Sequence, residues 1–393
     1  MSLYAPVDWR FVILAPVGVA RAWKKIAILT NVAQDVELLY QLNRSTMLTF
    51  SVPSDNPLVN ILHTDNLPFL AVGPRWILAW RKAPATLEPT PGQWVLQYAG
   101  RVWTLQDTGD GDNCRTMVTC FDTLKHLEKR IVRAADGTFR NQVAWWATPG
   151  STVVKNMIDR TQSFVGTCRI DTGGHWVDSA LMGAIKVDQA MVMPTLLRVT
   201  DTGTFDLDPA PLDGSDGNFM LLGGRPRLGG DKPNVVIGYA APPRRAVGYD
   251  RTQSLDNLTN SVDFFGKSSK GRHVHSEDLD SQTTFDIFED VSVIPDVQTD
   301  ELLQMLADEE VFLCKSPNDL ISIIPTPEDS PRFFNEYFIG DTIKLSAAVN
   351  PFPVTRQAIS GLQRVYGIRL KIDNEYGEAV TEMIASANAE SAL

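Results

Sequence analysis

Two histidines and three carboxylates fall within the eight residues from His273 to Asp280, and they are the first groups in this 393-residue chain whose types and spacing could do chemistry. If the His-Val-His run is a strand, side chains alternate across it, so His273 and His275 share a face. Glu277, Asp278 and Asp280 then lie near enough to complete a metal site. The preceding Gly266-Lys267-Ser268-Ser269-Lys270-Gly271 is loop-like in composition, and on that ground the whole run reads as an exposed polar loop. A second candidate is residues 201–218 (DTGTFDLDPAPLDGSDGN), where an Asp-rich loop could bind calcium through carboxylates and carbonyls. The spacing lacks the alternating ligands and terminal bidentate Glu of an EF-hand, so a turn-rich excursion is the expectation, with calcium left open. Leu222-Gly223-Gly224-Arg225 and Leu228-Gly229-Gly230 are similar to phosphate loops, but no GK[ST] follows, and they read as turns. Cys114, Cys120, Cys168 and Cys314 have no CxxC spacing and are expected to be unpaired buried thiols. No catalytic, cofactor-binding or metal-binding residue is assigned, no cofactor is expected, and the chain is not expected to be an enzyme.

Charge narrows the partners. Residues 276–310 carry twelve acidic side chains and no Lys or Arg, giving −12 against −11 for the whole chain, so the remainder is near neutral. Coating a phosphate backbone needs Lys and Arg to release counterions, so specific nucleic-acid binding is not expected. The acidic stretch reads as a solvated face, or as a surface that nucleic acid passes without sticking. Hydrophobic residues at 44% and charged residues at 21% describe an ordinary globular chain of two to four domains. Arg21, Lys24 and Lys25 interrupt the apolar residues between 10 and 28, which argues against a membrane span. The start lacks the ordered regions of a signal peptide, so folding in the cytosol is expected.

The elements that must position these groups are mostly strands. Leu48, Phe50 and Val52 alternate with Thr49 and Ser51 before Pro53-Ser54-Asp55-Asn56-Pro57 turns the chain, the pattern of a strand with one buried side. Residues 75–81, 94–105 and 115–120 continue in that style, so a small antiparallel barrel is expected. A helix over 122–133 follows with Asp122 as N-cap and Leu124, Leu127 and Ile131 as its stripe, and another over 151–163 turns Val154, Met157 and Ile158 inward. A strand over 234–240 and a helix over 254–265 are read in the less legible middle. Thr299 caps a helix to 310 with Leu302, Leu303 and Leu306 inward, and 319–324 is a strand. Ile343, Leu345 and Ala347, then Ile368, Leu370 and Ile372, alternate as strands, with 379–385 returning, so a second small barrel closes the chain. The fold class is α+β and β-rich, with two small antiparallel β-barrel domains and intervening mixed α/β domains. The segments are 1–135, 136–271, 272–325 and 326–393.

Several stretches carry a family resemblance. Asn43-Arg44-Ser45 runs into the strand ending Val52-Pro53-Ser54-Asp55-Asn56-Pro57, followed by Arg75 to Arg81, Ala99-Gly100-Arg101-Val102-Trp103 and Cys120-Phe121-Asp122. This order resembles the first domain of tail-tip (baseplate) hub proteins, the minor tail proteins of long-tailed phages (siphoviruses) infecting actinobacteria. Tyr337-Phe338-Ile339-Gly340-Asp341-Thr342-Ile343 and Ile372-Asp373-Asn374-Glu375-Tyr376-Gly377-Glu378 are similar to that family's final barrel. The resemblance implies a structural virion protein at the tail tip, assembled in the host cytoplasm. It implies a homotrimer whose two barrels per chain approximate a six-fold ring against the distal tail protein. That ring would enclose the channel for tape-measure protein and DNA, with spike or fibre proteins as further partners. Two alternatives come from other classes. A tail-associated cell-wall hydrolase needs paired carboxylates, an activated nucleophile or zinc, and the candidates above meet none of these by spacing. A carbohydrate-binding tail module is compatible with nine Trp, but Trp9, Trp23, Trp76, Trp80, Trp94 and Trp103 fall in the first barrel, where core packing is the expected use.

Overall fold

A computed structural model of the chain describes residues 7–17, 22–29, 33–82, 93–110, 113–134, 136, 143–165, 167–178, 181–187, 190–202, 205–240, 242–266, 271–293, 300–326, 329–347, 359–373 and 377–386. The elements in chain order are β1 (Asp8–Val17), β2 (Ala22–Ile28), β3 (Gln34–Gln41), β4 (Met47–Pro53), α1 (Pro57–Asn60), β5 (Trp76–Lys82), β6 (Val95–Asp110) and β7 (Asn113–Phe121). Next come α2 (Leu124–Leu127), β8 (Val143–Pro149), α3 (Gly150–Val165), β9 (Ile170–Asp171), β10 (Leu181–Val187), α4 (Val192–Thr202), β11 (Asp206–Pro211) and β12 (Met220–Arg225). The rest is β13 (Asp231–Tyr239), β14 (Ala246–Ser254), β15 (Ser261–Phe265), β16 (His273–Glu277), α5 (Leu279–Phe285), β17 (Glu289–Val293), α6 (Asp300–Cys314), β18 (Asn318–Pro325), β19 (Thr342–Ala347), β20 (Ile359–Asp373) and β21 (Gly377–Ser386).

The fold is β-rich with few helices, as the alternation implied, but the strands of the two expected barrels form one sheet. Thirteen strands run in the order β14-β18-β21-β20-β3-β4-β7-β6-β5-β1-β2, with β13 joined through β19 to β20. Among the described residues this path stays open between β2 and β14, so the sheet is not closed into a barrel. The join is β20. Arg364 pairs with Thr342 of β19 on one side and Ser386 of β21 on the other, and from Gly367 to Ile372 the strand pairs with β3 on the edge that β19 leaves. One core therefore holds Ile13, Leu38, Phe50 and Val118 from the first part of the chain together with Ile321, Leu345, Ile368 and Met383 from the last. The strands also run across the segment boundaries read from sequence, because β13 and β14 pair with β19 and β18.

Two modules are excursions from this body. The first, over residues 122–225, packs α3 and α4 against β8 and β9 to β12 around Val154, Met157, Ile158, Leu196, Phe205 and Leu222. The second lies inside a hairpin: β14 and β18 are antiparallel with Ser254 opposite Asn318, so everything between them is an insertion. It is the sheet β16-β15-β17 with α6 on one face, sealed by Val262, Phe264, Val274, Leu303, Ala307 and Val311.

Three local expectations fail for identifiable reasons. The helix expected over 122–133 stops at Leu127, because the backbone beyond it is taken by the start of α4: Val192 N–H donates to Arg130 O (2.7 Å) and Val132 N–H to Ala190 O (2.9 Å). The helix expected over 254–265 is absent, since Val262 and Phe264 alternate toward α6 as a strand while Asn260 pins the entry. The Asn260 side chain is buried and is bonded to Ser281 Oγ, Asp286 O and Phe288 N–H. Gly223 and Gly224 are not in a turn but in β12, where a Cβ on Gly223 would come within 2.5 Å of His175 O and one on Gly224 would meet the Phe205 and Trp176 rings. Gly229 does turn, with φ +80° and its face against Gly340.

Leu48, Phe50 and Val52 are all fully buried, as their alternation predicts. Replacing Phe50 by Ala is expected to destabilise the protein by about 3–5 kcal/mol. Thr49→Ala should change stability far less, and equal midpoint shifts for the two variants in urea unfolding would mean that the faces are reversed.

Candidate functional site

Asp122 is the first functional-looking group the fold repositions. Its expected role was the N-cap of a long helix, and it does accept from Leu124 N–H (3.0 Å), but its other bonds run across the fold to Ser45 Oγ (2.7 Å) and Thr46 N–H (2.8 Å). The carboxylate thereby ties the turn after β3 to the start of the first module. Burial pushes its pKa up to about 6 despite these donors. His126 lies nearby on α2. Its Nε2 accepts from Arg101 Nη1 (2.7 Å) and its ring also bonds the Cys168 backbone, so one neutral imidazole links β6, α2 and the approach to β9. Burial, then the Arg101, Arg130 and Arg169 charges, bring its pKa down to about 4.

A second set of bonds joins body to module through Asp206, which accepts from Arg364, Leu228 N–H (2.6 Å) and Asn43 Nδ2 (3.1 Å). Asn43 Oδ1 in turn accepts from Leu207 N–H (2.8 Å). Asp208 pairs with Arg225. Asp213 and Asp216 cap their own turn through Ser215 and Asn218 N–H (both 3.0 Å). Asp206, Asp208, Asp213 and Asp216 of the 201–218 run are thus spent on ion pairs and turns, and part of the run is β11. Above this junction lies an apolar cleft of about 380 Å³ lined by Tyr40, Tyr98, Phe219, Phe333, Phe334 and Phe338.

The histidine run is a strand, not a loop. His273 and His275 lie on the same exposed face of β16, and Asp263 of β15 stands opposite His275. Asp263 Oδ1 is 2.6 Å from His273 Nε2 and 3.2 Å from His275 Nδ1, and the His273 hydrogen bond holds its carboxyl below the usual range. Glu277 Oε2 is 3.7 Å from His275 Nε2. Asp278 instead caps α5 and pairs with Lys315 (2.9 Å), and Asp280 lies in the first turn of α5. Asp263 is the partner that spacing missed. Cross-strand pairing alone brings it in, and ten residues of separation from His273 carry no local signal.

No disulfide joins the cysteines among the described residues: Cys120 and Cys168 are buried as expected, but Cys114 is exposed and Cys314 half-buried. Burial pushes the Cys314 thiol up to about 12, which leaves it unreactive at neutral pH. Among the tryptophans of the first part, Trp9 and Trp76 are core residues and Trp94 is flanked by Arg10 (4.2 Å) and Lys82 (5.9 Å).

No protein-family model matches the chain, and no curated protein does. Solved structures do match it along its length. The 43 kDa tail protein of prophage MuSo2 from Shewanella oneidensis superposes with a TM-score of 0.57 at 11% identity, over 98% of this chain and 99% of that one. The fold is one shared with prophage tail proteins. A tail protein from Neisseria meningitidis MC58 gives 0.55 at 11% identity over 96% and 97%, and prophage tail protein gp18 from Listeria monocytogenes EGD-e gives 0.52 at 10% over 98% and 96%.

His126 and Asp122 make opposite contributions to stability with pH. The His126 pKa is lower in the fold than in the unfolded chain, so its contribution is lost as pH falls from about 6.5 toward 4. The Asp122 pKa is higher in the fold, so its contribution is present at low pH and lost as pH rises toward 6. Replacing His126 by Gln keeps an acceptor for Arg101 and a donor for the Cys168 carbonyl while removing the titration. Thermal melts between pH 4 and 6.5 should then show less acid destabilisation in the variant than in the parent.

Proposed function

We propose that this chain is a structural component of a phage tail tip: the hub that joins the tail tube and distal tail protein to the tip and surrounds the channel for tape-measure protein and DNA. The observation that carries the reading is the whole-chain fold match to prophage tail proteins, with coverage of 98% of this chain and 99% of the Shewanella one. A match over that share of the chain takes in the two excursions as well as the sheet. The hub-like order of motifs in the sequence points the same way and adds a tail of the long, actinobacterial-phage type. In this reading the protein is a virion component assembled in the host cytoplasm, acts by assembly and not by catalysis, and works as a homotrimer. Spike or fibre proteins would attach beyond it. Closed cyclic assemblies are the usual outcome of repeated identical contacts.

The chemistry is consistent with such a role. The polar groups described above, Asp122, His126 and Asp206, connect elements of the fold to one another. The acidic residues of 276–310 decorate the inserted module: Glu277, Asp280, Glu289, Asp300 and Asp308 are exposed. A channel-facing surface of that kind would repel polyanions.

Mass photometry of the purified chain, alone and with its distal tail protein, is expected to show a species at three times the chain mass. Only monomer under both conditions would count against the trimer. Replacing Glu289, Asp290 and Asp300 by their amides should leave tail assembly intact and slow DNA delivery if this face lines the channel. Normal delivery by such tails would place the acidic face elsewhere.

A further inference from the structure

We propose that His273, His275 and Asp263 form a binding site for a divalent transition cation of the zinc class, on the face of the inserted three-stranded sheet that α6 leaves uncovered. The sheet's covered face is spent on Val262, Phe264 and Val274 against α6. Its other face presents His273 and His275 from β16 and Asp263 from the adjoining β15, with side-chain exposures of 46%, 42% and 29%. Two imidazoles and a carboxylate are a donor set that suits zinc and its neighbours, whereas calcium and magnesium take oxygen ligands.

Distance supports the set. Bonds of about 2.1 Å from one ion at a tetrahedral angle place neighbouring ligand atoms about 3.4 Å apart. The two ring nitrogens already stand 2.6 and 3.2 Å from Asp263 Oδ1, so each separation needs to open by under about 1 Å. The Phe265 ring stacks on His273 at 4.6 Å and 21°, which restricts that imidazole. The acidic surroundings raise the local concentration of cations. Among the described residues no three such donors yet surround one point, because both rings are turned onto the same carboxylate oxygen. An entering cation displaces those two hydrogen bonds, which limits its affinity.

Calorimetric titration of the full chain with ZnCl2 and NiCl2 is expected to show one saturable ion per chain at pH 7.5, with no matching event for MgCl2 or CaCl2. The double variant His273→Ala/His275→Ala should abolish the event, and Asp263→Asn should weaken it by about 10- to 100-fold. Should the double variant melt below the parent, the single variant His275→Gln serves in its place, with binding reduced at least about tenfold. Three results would overturn the proposal: no saturable zinc binding by the full chain, zinc binding unchanged in the histidine variants, or calcium bound as tightly as zinc.

Discussion

The structure depends on a single buried ion pair placed where the two ends of the chain meet. Arg81 of β5 is fully buried and donates to Glu378 of β21 through Nε and Nη2 (2.9 and 2.7 Å), across 297 residues of sequence. Trp9 Nε1 donates to the same carboxylate (3.1 Å), Asn335 Oδ1 accepts from Arg81, and the Phe334 ring lies beneath the guanidinium at 5.3 Å. A buried pair is weak evidence for net stability, because desolvation offsets much of the attraction. Removing one partner nonetheless leaves an uncompensated charge, at a loss of about 3–5 kcal/mol. The pair therefore acts mainly as a register constraint. It ties β21 to β5 while β20 pairs with β3, the backbone pairing that makes one sheet of two sets of strands.

The two excursions are tied to this body in different ways. The insertion between β14 and β18 leaves and returns at adjacent positions, so its polar surface and its own small core are supported by a hairpin already in register. The first module is held more broadly, by Asp122, His126 and the Asp206 to Arg364 pair. These side chains have the ionisable character of catalytic groups, but each is saturated by partners that belong to a different element. Charge-assisted hydrogen bonds between elements provide orientation that apolar contact does not.

Local pattern was most legible where a strand or helix buries one face. β19 buries Ile343, Leu345 and Ala347 as their alternation implied, α3 brackets the expected 151–163 helix with Val154, Met157 and Ile158 inside, and β4 buries the three residues that alternation selected. The middle was illegible because its order rests on glycine packing and on short strands. Gly223 and Gly224 signal a turn by type, but Gly223 is required by close approach of the His175 backbone and Gly224 by the Phe205 and Trp176 rings. The candidate cation site was half legible: the two histidines were marked by their spacing, while composition argued for a loop and hid Asp263.

The sequence by itself determined the β-rich class, the faces of the regular strands, the long helix of the first module and the concentration of acid in one segment. These follow from side-chain type and from periods of 2 and 3.6 residues, which operate within a few residues. Tertiary structure alone decided that β20 pairs with β3, that Glu378 meets Arg81, and that Asp263 stands between two histidines. Period two tells which side of a strand is buried but not which strand lies beside it. That choice is made by contacts between residues hundreds of positions apart, through burial and charge pairing that no local window contains.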